Sequence, residues 1–395
     1  MNVAVKHASL TSSALERMAR VADEVAAEFA ADVDASGRFP QETFDALKRE
    51  RLLGCWIPRE HGGEGLSLTD ICALVARLGQ ACGSSAMIYG MHQIKMSSLI
   101  QHSVGSDWHI DYMRECARDQ LLLGSATTEG GIGGDLRNSI CAVEVEGDRY
   151  RLTKQATCIS YGRNADAILA TCRRNPEAAS SDQVMVVCRR GDYTLRETVD
   201  WDTMGMRGTR SEGFELVSSG DAAQVFVQPF SEIAAQSMLA MAHIIWTATW
   251  YGIAADTVVK AQAFVKAEAK KRPGTVPPGA LRLAEVSAKL QQMKSLLVAG
   301  IARYEEALAD EALMNTLSFI AELNTIKVSA SQLGIEVAQG SLMILGLAGY
   351  RNAGPWTIAR NYRDLLSAAI MINNDRILGN TSNLLLMSKI DVSVA

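Results

Sequence analysis

Apolar residues in the first hundred positions recur at intervals of three and four. Leu15, Met18, Val21, Val25 and Phe29 fall on one stripe, the signature of an amphipathic helix. The pattern restarts after Pro40 in RFPQETFDALKRERLLGCW. It restarts again after Ser67 in LSLTDICALVARLGQACG, where Asp70 is placed to support the first turn. The period then changes to two. Cys141, Val143 and Val145 alternate with Ala142, Glu144 and Glu146, and Gly147-Asp148 turns the chain into RYRLTKQATCIS. DAILATCRR, QVMVVCRR, GFELVSS and AQVFVQP continue as short strands to about Pro229, with no helix between them. Such strands predict an antiparallel barrel or sandwich. From about Ile233 the helical period returns, in segments near 237–271, 279–311, 315–346 and 356–390. Long helices joined by short loops predict a four-helix bundle. The expected fold is therefore α+β and mainly α: a helical domain over 1–120, a β domain over 121–230 and a bundle over 231–395.

Composition narrows the function classes. The chain has 395 residues, is 48% hydrophobic and 21% charged, and carries a formal net charge of -5. No basic excess points to nucleic acid. The first residues lack the apolar core of a signal peptide, and no run of eighteen apolar residues is expected to span a membrane. A cytoplasmic protein is the expectation. The cysteines at 55, 72, 82, 116, 141, 158, 172 and 188 form no C-x-x-C pair and have no histidines at zinc-finger spacing. They read as small buried hydrophobes, and no metal site is expected.

One short stretch is unusually bare. ATTEGGIGGDLRNS, residues 126–139, sets glycines, threonines and carboxylates between an apolar run and an alternating strand. Glycine there lets main chain approach a ligand and offer N–H groups, although it is also ordinary loop material.

Four segments in order carry a family resemblance. LLGCWIPREHGGEGLSLTD (52–70), ATTEGGIGGD, MGMRGTRS (204–211) and ILGLAGY (344–350) followed by RNYRDL (360–365) resemble signature segments of the acyl-CoA dehydrogenase flavoproteins. The resemblance implies a bound FAD. On it, Thr127 and Thr128 would touch the flavin edge, while Gly133 and Gly134 would let the main chain approach phosphate. Cys158, Ile159 and Ser160 would lie across the ring, with Cys158 where the family usually has tryptophan. Cys158 is equally readable as a buried strand residue. The family's arginine that reaches adenine from a neighbouring subunit is missing, leaving Arg272 as a weak substitute beside the Gly346 and Gly349 turn. A homodimer or homotetramer is implied.

The same resemblance implies an acyl thioester substrate, carried on CoA or a carrier protein, with an electron-transfer flavoprotein or O₂ as acceptor. Gly134, His243 and Ile372 match substrate-side positions. Yet both seats of the family's catalytic glutamate are empty: they hold Ile372 and Ala242. Removal of an α-proton needs a base of matched pKa. Three residues are candidates to compensate. His243 stands beside Ala242, though it would also pack well against Trp246 or Met241. Asp375 lies about one helical turn beyond Ile372, or pairs with Arg376 at the surface. His92, in AMIYGMHQIK, resembles a histidine of the superfamily's dibenzothiophene-type flavin monooxygenases. Two enzymatic readings follow: α,β-dehydrogenation with an unusual base first, and an oxygen-using oxidase or monooxygenase second. A relative without catalysis would be free to lose ATTEGGIGGD and MGMRGTRS, and both are intact.

Overall fold

Residues 13–132 and 135–389 are described by the computed structural model. Its helices begin with α1 (Ala27–Ser36), α2 (Gln41–Arg49), α3 (Leu68–Ala81), α4 (Gly83–His102) and α5 (Asp107–Asp119). The start of α3 is a reciprocal cap. Ser67 Oγ accepts the Asp70 N–H, and the Asp70 carboxylate accepts the Ser67 N–H at 2.9 Å. Ser67→Ala should lower stability by about 1 kcal/mol, read from the midpoint of a urea melt at unchanged slope.

The middle of the chain forms two sheets rather than a closed barrel. Its strands are β1 (Leu123–Ala126), β2 (Val143–Glu146), β3 (Arg149–Ala156), β4 (Ala167–Arg173), β5 (Gln183–Arg189), β6 (Tyr193–Val199) and β7 (Gly213–Asp221). One sheet has the order β1-β4-β5 and the other β2-β3-β7-β6. The sandwich alternative therefore holds, and all pairs are antiparallel except β1 with β4. That parallel pair follows from connectivity, because the β2–β3 hairpin of the other sheet intervenes and acts as the crossover parallel strands need. In β3, Tyr150, Leu152, Lys154 and Ala156 face inward in strict alternation. A lysine thus occupies a core position.

The C-terminal layer comprises α6 (Leu239–Lys271), α7 (Ala280–Ala309), α8 (Leu317–Leu345), α9 (Ala359–Leu366) and α10 (Asn374–Met387). With the turns before it, α6 extends a helix from Phe230 to Lys271 that is long and apolar enough to cross a membrane, contrary to the expectation from composition. It is nonetheless the core helix of the bundle, with 83% of its most apolar window buried. It lies against α3 at a close crossing, where a Cβ on Gly252 would come within 2.2 Å of the Ala76 carbonyl oxygen.

The last predicted helix is broken. After α9 comes a 3-10 turn at Ser367–Ala369, and α10 starts afresh. Buried Lys327 of α8 holds the break by donating to the carbonyls of Ala368 (3.0 Å) and Ile372 (2.5 Å) and to Asn374 Oδ1 (2.7 Å). Asn373 then caps α10 by accepting the Asp375 N–H.

Candidate functional site

A cavity of about 870 Å³ opens where the β layer, α4, α6 and the broken C-terminal helix meet. Its polar wall comes from Ser125, Thr127 and Thr128 at the end of β1, with Cys158 and Ser160. Its apolar wall is Met87, Met91 and Ile94 of α4, with Met238, Leu239, Ala242 and Trp246 at the start of α6. The turn Trp201–Ser211 and residues 370–373 close the remaining sides.

The polar wall is a chain of hydroxyls. Ser211 Oγ donates to Ser160 Oγ at 2.8 Å, and Thr209 Oγ1 lies 2.8 Å from Ser211 Oγ. Ser160, which also lines the cavity, acts as the acceptor in this pair. Thr128 Oγ1 donates to the Cys158 carbonyl at 3.1 Å, pinning the two segments together. The 204–206 turn is fixed from behind, where the Met206 N–H donates to the buried carboxylate of Asp364 at 2.6 Å. Met206 takes a left-handed conformation, φ 52, unusual for a side chain of this size. Gly205 permits the approach of α9: a Cβ there would stand 2.3 Å from the Arg363 carbonyl oxygen.

The predicted site residues divide sharply. Thr127, Thr128, Cys158, Ser160 and Ile372 line the cavity. Gly133 and Gly134 lie outside the described residues. Ile159 does not face the cavity: it sits between two residues that do, with its own side chain fully buried in the core. Arg272 is exposed at the C-terminal end of α6, Gly346 caps α8, and Gly349 lies in the short helical turn Leu347–Tyr350 after it; none of the three lines the cavity of the single chain.

The three candidate bases are all displaced. His92 is fully buried, its Nε2 donating to the Leu53 carbonyl and its Nδ1 accepting the Leu123 N–H, so both nitrogens bind main chain. Burial brings its pKa down to about 4. It is a strut between α4 and β1, turned away from the face that carries Met91, Ile94 and Lys95. His243 follows Ala242 by about 100° around α6, and only Ala242 faces the cavity. His243 lines a second cavity of about 450 Å³, with Nε2 against Asn324 Oδ1 at 3.2 Å and Nδ1 without a partner. Burial, aided by the nearby Lys327 charge, brings its pKa to about 4. Asp375 misses because the helix breaks: Ile372 lies in the turn, whereas Asp375 is exposed in the first turn of α10. Among the described residues, no aspartate or glutamate lines the main cavity.

Residues 12–109 match the N-terminal domain of the acyl-CoA dehydrogenases, and residues 233–380 match their C-terminal domain. The chain belongs to the acyl-CoA dehydrogenase superfamily. It is a flavoprotein and an oxidoreductase of that family. It is 23% identical to the amino sugar nitrososynthase DnmZ of Streptomyces peucetius over 347 residues, 86% of this chain and 84% of the relative. It is 27% identical to cyclohex-1-ene-1-carbonyl-CoA dehydrogenase of Geobacter metallireducens, over 49% of this chain and 51% of that enzyme. In fold it resembles FMN-bound TdsC, a dibenzothiophene monooxygenase from Paenibacillus sp. A11-2. The TM-score is 0.82 at 17% identity, covering 96% and 98% of the two chains.

The cavity's chemistry suits the family's flavin. A hydroxyl-bearing wall faces an apolar one, which is what a ring with a polar edge and apolar faces requires. The Trp246 indole N–H beside it is buried without a hydrogen-bond partner, a donor awaiting an acceptor. Thr127, Thr128, Cys158 and Ser160 line it and would be the residues to hold the ring.

Sequence reading missed three residues that organise this site. Lys327 holds the helix break. Lys154 lies buried against Glu129, the glutamate of the glycine-rich segment. Lys95 lines the cavity itself, 3% exposed. The common signal was available: each lysine interrupts an apolar face at helical or strand period.

Proposed function

We propose that this chain is an oxygen-using flavin enzyme, a monooxygenase or oxidase, acting on a small and largely apolar substrate. One observation carries the reading: among the described residues no carboxylate lines the cavity, His92, His243 and Asp375 do not line it, and the one lysine there, Lys95, is held in the apolar wall against the Met238 sulfur. Dehydrogenation of an acyl thioester needs a base at the α-carbon, whereas oxygen chemistry does not require one there. A relative aligned along 86% of the chain, a nitrososynthase, agrees with this choice. When bound, the flavin supplies the electrons that reduce dioxygen. The protein's own part is to exclude water and place hydroxyls. Met87, Met91, Ile94 and Leu239 form a dry wall, and Ser160, held by Ser211, offers one oriented O–H to the reaction space.

Anaerobic mixing of the flavin-loaded protein with butyryl-CoA and octanoyl-CoA tests the reading. The flavin absorbance should persist with both. After reduction by an added flavin reductase and NADH, admission of ¹⁸O₂ should consume oxygen and label either a co-incubated aromatic product or hydrogen peroxide. Rapid bleaching by an acyl-CoA without reductase would instead establish α,β-dehydrogenation and overturn the proposal.

A further inference from the structure

Lys95 is an anomaly in an otherwise apolar wall. Its side chain is 3% exposed, yet its ammonium nitrogen has as its hydrogen-bond partner only the Met238 sulfur, at 3.0 Å. A thioether is a poor acceptor for a charge. A buried cation is ordinarily matched by an anion, because an uncompensated one is strongly disfavoured. None is present. Met91, Ile94, Met238 and Leu239 line the same cavity.

The neighbouring elements supply no counter-ion. On α4 itself, His102 binds Ser237 Oγ, and on α6 His243 points to the other cavity. Across the cavity, Arg363 is paired with Asp34, and Arg376 is a second cation at the rim. Burial is the one cause acting on the Lys95 amine, and it brings the pKa down to about 7. The amine is therefore poised to change charge with what enters beside it.

We infer that Lys95 recognises a single negative charge on the substrate, a carboxylate or an ionised phenol, carried on an apolar body that fills the wall around it. This rests on the flavin-enzyme reading of the cavity and adds the substrate class. Binding creates the ion pair that the empty wall lacks. With a carboxylate ligand, the neutral amine takes one proton from solvent. With a phenol, the O–H bond breaks, its proton moves to Lys95 Nζ, and the phenolate stays paired with the new ammonium, with no net exchange with solvent.

The test uses the oxidised, flavin-loaded protein at pH 8, without turnover. Isothermal titration in two buffers of different ionisation heat measures affinity and proton uptake for 4-ethylbenzoate, 4-ethylbenzamide and 4-ethylphenol. The acid should bind at least tenfold tighter than the amide, with uptake approaching one proton. The phenol should bind with none and develop a phenolate absorption band. A response to the acid alone, or to the phenol alone, identifies which anion is used. Lys95→Met should abolish both the preference and the uptake. Lys95→Arg, permanently charged, should retain the preference and lose the uptake. Equal affinity for acid and amide together with no phenolate band in the wild type, or a preference or phenolate band unchanged in Lys95→Met, would overturn the inference. Wild-type proton uptake and Lys95→Arg decide the matter if Lys95→Met fails to fold. None of these readouts depends on oxygen or acyl-CoA, so failure of the functional reading shows separately, in the bleaching experiment.

Discussion

Lys154→Met should lower the stability of this protein by about 3–5 kcal/mol and release the glycine-rich segment from its sheet. Lys154 is fully buried and donates to Glu129 at 3.2 Å and to the Thr171 carbonyl at 2.8 Å. Glu129 also accepts from Ser139 Oγ (2.8 Å) and from the N–H groups of Ile140 (3.1 Å) and Cys141 (2.7 Å). Removing the lysine leaves a buried carboxylate without its counter-charge, which is worse than removing both. Glu129→Gln with Lys154→Met should therefore recover part of the loss, and a double-mutant cycle from guanidinium melts at pH 7 measures the coupling. A loss below about 1 kcal/mol in Lys154→Met would show that the pair does not anchor the segment.

The same pair sets an acid limit. Burial raises the Glu129 pKa, but Lys154, Ser139, Cys141 and Ile140 together outweigh it and hold the carboxyl below its usual 4.5. A carboxyl lowered in the folded state adds stability above that value and loses it as the pH falls further. In wild type, stability should drop below about pH 4.5, and the Glu129→Gln/Lys154→Met protein should lack that part of the drop.

Periodicity carried most of the architecture because burial imposes it directly: Leu15 to Phe29 on a helix, Tyr150 to Ala156 on a strand. It could not separate a barrel from two sheets, since the parallel β1–β4 contact depends on strands more than forty positions apart. Nor could it locate the break before α10. There the apolar period continues through SAAIMI, and what stops the helix is Lys327 from another element. Asp375 lies outside the cavity for that reason. His92 and His243 lie outside the cavity because one helical step decides which way a side chain turns. The polar wall of the cavity was legible at Thr127, Thr128, Cys158 and Ser160 because local sequence builds it. Lys95 was legible in principle, as a lysine four residues after Met91 on a buried face, but its lack of an anion is a property of the assembled cavity.

Asp364→Asn separates stability from site order in a second way. The carboxylate is 1% exposed, and burial raises its pKa from 3.8 to about 6, against the lowering effect of the Met206 N–H and of Arg360 and Arg363. A carboxyl raised in the folded state binds a proton more tightly there than in the unfolded chain. Stability therefore falls as the pH rises through the window from about 4 to about 6. The gap corresponds to about 3 kcal/mol. Asparagine mimics the protonated form, so wild type and Asp364→Asn should be similar near pH 4 and diverge above pH 6, where the variant is the more stable. Thermal melts of both proteins at half-unit intervals from pH 4 to pH 8 measure this. A difference independent of pH would remove the carboxylate from the account. The variant should also bind flavin more weakly at pH 8, because a neutral amide holds the Met206 N–H less firmly than an ion does. Met206 in its left-handed conformation would then relax toward ordinary backbone and slacken the turn on one side of the cavity. A protein that keeps a costly buried charge behind a strained turn is ordering its site at the expense of its stability, and Asp364→Asn should reverse that exchange.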